Sequence, residues 1–228
     1  MIEVHGSRFT VHVFYNMRFK DLGCISFEAA LTKQEQTVAA VADGLEDETV
    51  FLLEHPHVFT CGRGGDAANL LASVDWNENP IELVRINRGG DVTYHGPGQL
   101  VGYPHLDLKR RSRDVHRYLR DLEASLMATA ARFGVPSFRR EGLTGVWTER
   151  GKLASIGVGV RRWVTMHGFA LNVSTDLRYF QLINPCGMPD CPMVSLSSLT
   201  GCDIEMAAVK QVFAEEFERV FGLTEPGA

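Results

Sequence analysis

The sequence runs to 228 residues with a formal net charge of -5, 45% hydrophobic and 22% charged residues. This is ordinary globular composition, which excludes a disordered chain, and its acidic balance argues against a nucleic-acid binder. No apolar run approaches membrane-spanning length, and the five cysteines are odd in number and irregularly spaced, so the expectation is one domain over residues 1–228 in a reducing cytoplasm, with free thiols and no membrane contact.

The elements follow in chain order. Residues 26–43 predict a helix: Ser26 is placed to cap it, Phe27, Ala30, Leu31, Val38 and Val41 recur at helical spacing, and Gly44 ends it. Residues 50–53 form a short apolar run suited to a buried strand, residues 81–86 alternate, and residues 100–108 alternate around Gly102 and Pro104. Residues 113–133 predict a second helix, with Ser112 or Asp114 as its cap and Gly134 with Pro136 after it. Residues 145–148, 152–160 and 164–173 suggest a meander with turns at 149–151 and 161–163, and residues 204–221 a last helix capped by Asp203. Strands and helices are not regularly interleaved, which disfavours a doubly wound parallel sheet. The expected class is α+β, a mixed sheet flanked by helices.

Four segments look too costly for scaffolding alone. The run Arg88, Gly89, Gly90, Asp91, Val92, Thr93, Tyr94, His95 and on through Gly96 and Gly98 gathers glycines beside ionisable side chains. It suits either a turn or a loop whose backbone approaches a ligand closely, and it matches neither a P-loop nor a dinucleotide fingerprint. Lys152 leads an otherwise small and apolar stretch containing Ser155, Ile156 and Gly157; it sits either at a solvated turn or inside a site. His167 precedes Gly168, Phe169 and Ala170, residues small and apolar enough to wall a narrow slot, although a satisfied strand histidine reads equally well. Cys186 lies between Pro185 and Gly187 on a rigid turn, the framing of an accessible thiol, whereas Cys24 and Cys202 have none.

Taken together and in order, Glu54-His55-Pro56, the segment 88–103, Gly145-Val146-Trp147, the segment 152–157, the segment 167–173 and Asn184-Pro185-Cys186-Gly187 resemble the octanoyl-carrier-protein:protein octanoyltransferases of lipoate biosynthesis. The resemblance spans roughly residues 50–200. It implies the fold of the biotin and lipoate protein ligases. It also implies that Cys186 is the acyl-thioester nucleophile and Lys152 its acid/base partner, and that the loop from Arg88 to His95, Ser155-Ile156-Gly157 and Gly168-Phe169-Ala170 form the acyl pocket, with His95 and His167 nearby. Octanoyl-acyl carrier protein would be the donor, and lipoyl domains of 2-oxoacid dehydrogenase E2 subunits and the glycine-cleavage H protein the acceptors. No cofactor, metal or nucleic acid is implied, because a thioester is already activated. Cys191 falls outside the family's pattern.

The chemistry explains the residue types. A free cysteine titrates near pH 8.5, so a neighbouring ammonium favours the thiolate, and a thioester intermediate splits a hard transfer into two easier ones. Backbone amides of the glycine-rich loop would hold the oxyanion. Each buried methylene contributes about 0.8 kcal/mol, so a slot selects chain length. Docking of an acidic carrier calls for a local cationic patch: Lys109-Arg110-Arg111-Ser112-Arg113 leads, with Arg139-Arg140 and Arg161-Arg162 behind it. The rival readings are an ATP-dependent ligase of the same fold, a thioester hydrolase, and a metal- or carrier-binding module using Cys186, Cys191, His55 and His57.

Overall fold

The computed structural model describes residues 17–65, 81–86, 91–184 and 191–222. Ten strands and four α-helices are found among them: β1 (Arg18–Cys24), α1 (Phe27–Ala42), β2 (Thr49–Glu54), β3 (Val58–Cys61), β4 (Glu82–Arg85), β5 (Val92–His95), β6 (Gln99–His105), α2 (Val115–Arg132), β7 (Phe138–Arg140), β8 (Leu143–Thr148), β9 (Gly151–Arg161), β10 (Val164–Asn172), α3 (Leu196–Thr200) and α4 (Met206–Phe221). A seven-stranded sheet runs in the order β1-β2-β6-β10-β9-β8-β7, and a three-stranded sheet in the order β4-β3-β5. Both are mixed: β1 is parallel to β2 and β3 to β4, and the other pairs are antiparallel.

Side-chain alternation explains the layers. Successive residues of a strand face opposite sides of the sheet. Val50, Leu52, Leu100, Phe169 and Leu171 therefore join Leu122 and Leu126 of α2 and Phe213 and Phe217 of α4 in the largest core. Phe51, Leu53, Val101, Tyr103 and Ala170 point the other way, against Ala30 of α1. Helices cover both faces, as the sequence led one to expect for a flanked mixed sheet.

The local starts are capped as read: Ser26 accepts from the Ala29 amide and Asp114 from the Arg117 amide. Asp203 does not cap α4; Glu205 stands at that position and makes no side-chain cap bond. The strand expected over 100–108 stops at His105, and Leu108 begins a short 3-10 turn capped by Asp107. The turn between β9 and β10 puts Arg162 at φ 54° and Trp163 at φ 68°, the left-handed pair of a two-residue type I′ hairpin. Strands β1, β3, β5 and β7 and helix α3 were not read from the sequence.

Candidate active site

Lys152 is the second residue of β9 and is 2% exposed. Its backbone is held on both sides. On one it pairs with Trp147 of β8, and on the other its N–H donates to Pro192 O at 2.8 Å while its carbonyl accepts from the Val194 amide at 3.0 Å. Two glycines make the position possible. At Gly151 (φ 154°) a Cβ would fall 2.3 Å from Pro192 O, and at Gly145 (φ 134°) a Cβ would stand 2.9 Å from Lys152 Cε. The Nζ lies 5.2 Å from the centroid of Trp147, whose ring also carries the Arg140 guanidinium at 4.5 Å. Lysine at a solvated turn is thereby excluded: this ammonium is walled by an indole and a glycine.

Gly145 is fixed in turn by Glu123, a carboxylate in the middle of α2 with no solvent exposure. Glu123 Oε1 accepts from the Gly145 amide at 3.0 Å, and Oε2 accepts from Arg120 at 2.7 Å and Arg139 at 2.9 Å. A buried carboxylate is tolerated because both oxygens are hydrogen-bonded and the charge is paired.

Further along β9 from Lys152, between Ser155–Gly157 and the paired stretch of β10, lies a slot enclosing about 490 Å³ of empty space, including its open mouth. Its floor is small: Ser155 pairs with Ala170 and Gly157 with Gly168 across the two strands. Asp91, Thr93 and His95 form a polar wall, and Ile156, Phe169 and His167 complete the lining named from the sequence. Val92 and Tyr94 do not line it. They alternate to the other side of β5 and are fully buried among Phe59, Cys61, Phe180 and Ile183. Phe27, Ile86 and Tyr103 do line it and were missed. The signal for Tyr103 was available in the period-two pattern, which puts it on the same face as Val101. Cys186, Arg88, Gly89 and Gly90 lie outside the described residues, and the described chain resumes at Cys191, which is partly buried.

Several polar groups around the slot are already engaged. His55 Nδ1 is 2.7 Å from Ile25 O and its Nε2 2.8 Å from Tyr103 Oη, so the ring is neutral with its proton on Nδ1, and Tyr103 donates to Nε2. Burial drops its pKa to about 4. With both nitrogens occupied, His55 has no lone pair for a metal, and among the described residues no three His, Cys, Asp or Glu side chains converge. The Gly98 amide donates to Glu54 at 2.8 Å, which removes it as an oxyanion donor. His167 holds φ 56° inside a strand, with its N–H captured by Gln34 Oε1 at 2.7 Å. Left-handed backbone at a bulky residue costs about 1–3 kcal/mol and persists where surrounding contacts enforce it.

The cationic runs behave differently. Arg111, partly buried, grips the buried Glu48 in a two-pronged ion pair, and Lys109 and Arg110 flank Asp107 at 3.5 and 3.7 Å. Asp107 bridges Val164, which pairs with Arg161. Nine residue steps along β9 take the chain from Lys152 to Arg161, about 30 Å at strand rise. The run 109–113 therefore sits at the far end of the sheet from the lysine.

A family model described as the lipoyl protein ligase A/B catalytic domain matches residues 26–218. An octanoyltransferase of Geotalea uraniireducens is 57% identical over 202 residues, covering 89% of this chain and 92% of its own. One of Geobacter metallireducens is 57% identical over 201 residues, covering 88% and 92%. Among solved structures, a bipartite lipoate protein ligase from Thermoplasma acidophilum superposes with a TM-score of 0.67 at 15% identity, covering 92% of this chain and 84% of that one. That last likeness establishes the fold alone.

Proposed function

The chain belongs to the octanoyltransferases of the lipoyl protein ligase A/B catalytic domain family, and from that premise we propose that residues 1–228 form one catalytic domain that carries an octanoyl group through a cysteine thioester to a protein lysine. The donor is octanoyl-acyl carrier protein, and the acceptors are lipoyl domains of 2-oxoacid dehydrogenase E2 subunits and the glycine-cleavage H protein, in the cytoplasm. The observation that carries this reading is Lys152: a lysine buried at the start of the strand whose later residues, Ser155 to Gly157, line the small-residue slot, in space cleared by Gly145.

In the first half-reaction the Cys186 thiolate attacks the donor thioester carbonyl. The intermediate collapses, the carbon–sulfur bond to the carrier breaks, and the carrier thiolate takes a proton from the Lys152 ammonium. In the second, the neutral acceptor amine attacks the acyl-enzyme and gives its proton to the Lys152 amine, and the Cys186 thiolate leaves. The lysine returns to its ammonium form and the cycle closes without nucleotide. The slot takes the alkyl chain, each methylene contributing about 0.8 kcal/mol where it fits. For the carrier, Arg140 on the Trp147 ring and Arg150, two residues before Lys152, are the docking cations. The run 109–113 is too far away, and its Lys109, Arg110 and Arg111 are already paired.

The test is intact-protein mass spectrometry after mixing with octanoyl carrier protein, without ATP, beside Cys186→Ser. A mass gain of one octanoyl group, lost on thiol treatment and absent from the variant, is expected. Transfer to acceptor with no adduct would overturn the role of Cys186. Free octanoate released at the same rate with and without acceptor would identify a hydrolase, and activity only with ATP a ligase.

A further inference from the structure

The slot has a closed end, and a break in strand alternation builds it. Strand β6 pairs with β10 from Gln99 to Gly102 and meets it again where the Thr165 amide donates to Leu106 O at 3.0 Å. Continuing the register sets Pro104 opposite His167. Proline has no N–H to give to a ladder, and the Pro104 carbonyl is taken by Thr165 Oγ1 at 2.6 Å. The His167 N–H turns to α1 and donates to Gln34 Oε1 at 2.7 Å. Gln34 is fully buried, and its Nε2 has no hydrogen-bond partner among the described residues, so the bond to His167 is what fixes this amide.

That bond accompanies a change of face. Residues paired across two strands share a face of the sheet, and Val158, the partner of His167, packs with the core under α2 and α4. Alternation would therefore point His167 away from α1. Its ring lies edge-on to Tyr103 instead, with centroids 6.5 Å apart, and Tyr103 belongs to the α1 side. The left-handed φ of 56° accounts for the turn. His167 is buried and lines the slot. On β10 the lining runs from Ala170 to His167, and past it on the α1 side Val38, Val41 and Val164 pack together. From the level of Ser155 to that of His167 is three strand steps, about 10 Å, the reach of a medium-length alkyl chain.

We propose that His167 is the stop that limits acyl-chain length in the slot, and that Gln34 is the positioning residue that holds it there. This rests on the octanoyl-transfer reading above, in which the thioester lies toward the Lys152 end of β9 and the alkyl chain runs past Ser155 and Gly157. The stop acts by its volume, whatever the charge of the imidazole. A longer chain meets a ring backed by three packed valines.

The experiment is competition among hexanoyl-, octanoyl-, decanoyl- and dodecanoyl-carrier protein for one acceptor, read as ratios of the amide products by mass spectrometry. The wild type is expected to drop sharply beyond one length. His167→Gly keeps the left-handed backbone and deletes the ring, so decanoyl relative to octanoyl should rise about tenfold as two more methylenes find room. His167→Asn, shorter and also at ease at positive φ, should raise it by less. Gln34→Leu removes the acceptor and should shift the ratio the same way, whereas Gln34→Glu keeps an oxygen facing the His167 amide and should restore it. A loss of packing alone slows every chain length together, so unchanged ratios in folded His167→Gly or His167→Asn overturn the proposal. If these variants do not fold, the wild-type profile decides: efficiency that rises smoothly through dodecanoyl means that there is no stop. Transfer from no chain length would remove the octanoyl-transfer reading and the stop with it; transfer with a smooth profile removes the stop alone.

Discussion

The two ends of the β9–β10 hairpin carry positive charge in opposite ways. At one end Lys152 is buried against Trp147, in space that Gly145 leaves empty. At the other, Arg161 and Arg162 reach solvent around a type I′ turn, and Arg162 pairs with an exposed Asp43 at 2.6 Å. Exposed pairs of that kind are worth little, about 0–1 kcal/mol, because water already solvates both partners. A buried ammonium is costly and needs supports placed for it. The supports at the Lys152 end are visible: two glycines at positive φ, an indole, and a carboxylate two elements away. Nothing equivalent stands behind Arg161. Position in the fold, more than charge itself, separates the two ends: one buries its cation among supports, the other leaves it in water.

The largest expected effect tests those supports. Glu123→Ala should cost about 2–4 kcal/mol in denaturant unfolding, since it leaves the buried Gly145 amide without a partner and opens a cavity. Glu123→Gln, which retains an acceptor for that amide, should cost clearly less. Equal losses would mean that the charge pairing with Arg120 and Arg139 matters rather than the bond to Gly145. Gly145→Ala comes next. Its Cβ would meet Lys152 Cε, so transfer should fall about a hundredfold, beyond any loss of fold measured by melting. Full activity in a folded Gly145→Ala would remove Gly145 from the account.

Buried histidines lie towards both ends of β6, so pH should act on both. His55, by the slot, and His105, at the far end, are each pushed down to about 4, chiefly by burial. Their folded pKa values lie below the unfolded value of 6.5, so the unfolded state binds more protons between the two. Stability is therefore full above about pH 6.5, falls as pH drops toward 4, and levels off below. The slope should reach about 1.4 kcal/mol per pH unit for each histidine. A melting temperature that is flat from pH 7 to 4.5 would contradict this. The smallest effect concerns docking. Arg140→Glu or Arg150→Glu should raise KM for the carrier about two- to fivefold and spare small thioesters, while Lys109→Glu and Arg110→Glu should leave both unchanged. The opposite ranking would move the docking surface to the far end.

Much of the scaffold was legible in the sequence because its signals are local. Helices α1 and α2 follow from apolar spacing and a capping Ser26 or Asp114, and β9 and β10 from alternation about a short turn. The small sheet was not legible. Val58–Cys61 is a four-residue buried run, and Val92–His95 sits among glycines and a proline, so neither shows a period long enough to read. Val92 and Tyr94 were assigned to the pocket with their neighbours because a loop has no alternation; once the segment is a strand, every second residue faces away. Lys152 could be suspected from the apolar run behind it, but its burial depends on Gly145 and Trp147 in another strand. The bond from His167 to Gln34 spans 133 positions in sequence and depends on how α1 packs over β10. Arg111 misled for the same reason: inside a charged run it looked solvated, yet its partner Glu48 lies 63 positions earlier, in the connection between α1 and β2.

The central claim is that Lys152 moves the proton in both halves of the reaction. The most direct measurement is rapid-quench kinetics of Lys152→Met, following carrier-thiol release and amide formation separately, with melting as the control for folding. The account predicts that both halves slow by at least about a hundredfold in a protein that still melts cooperatively. Wild-type rates for both in that variant would contradict it.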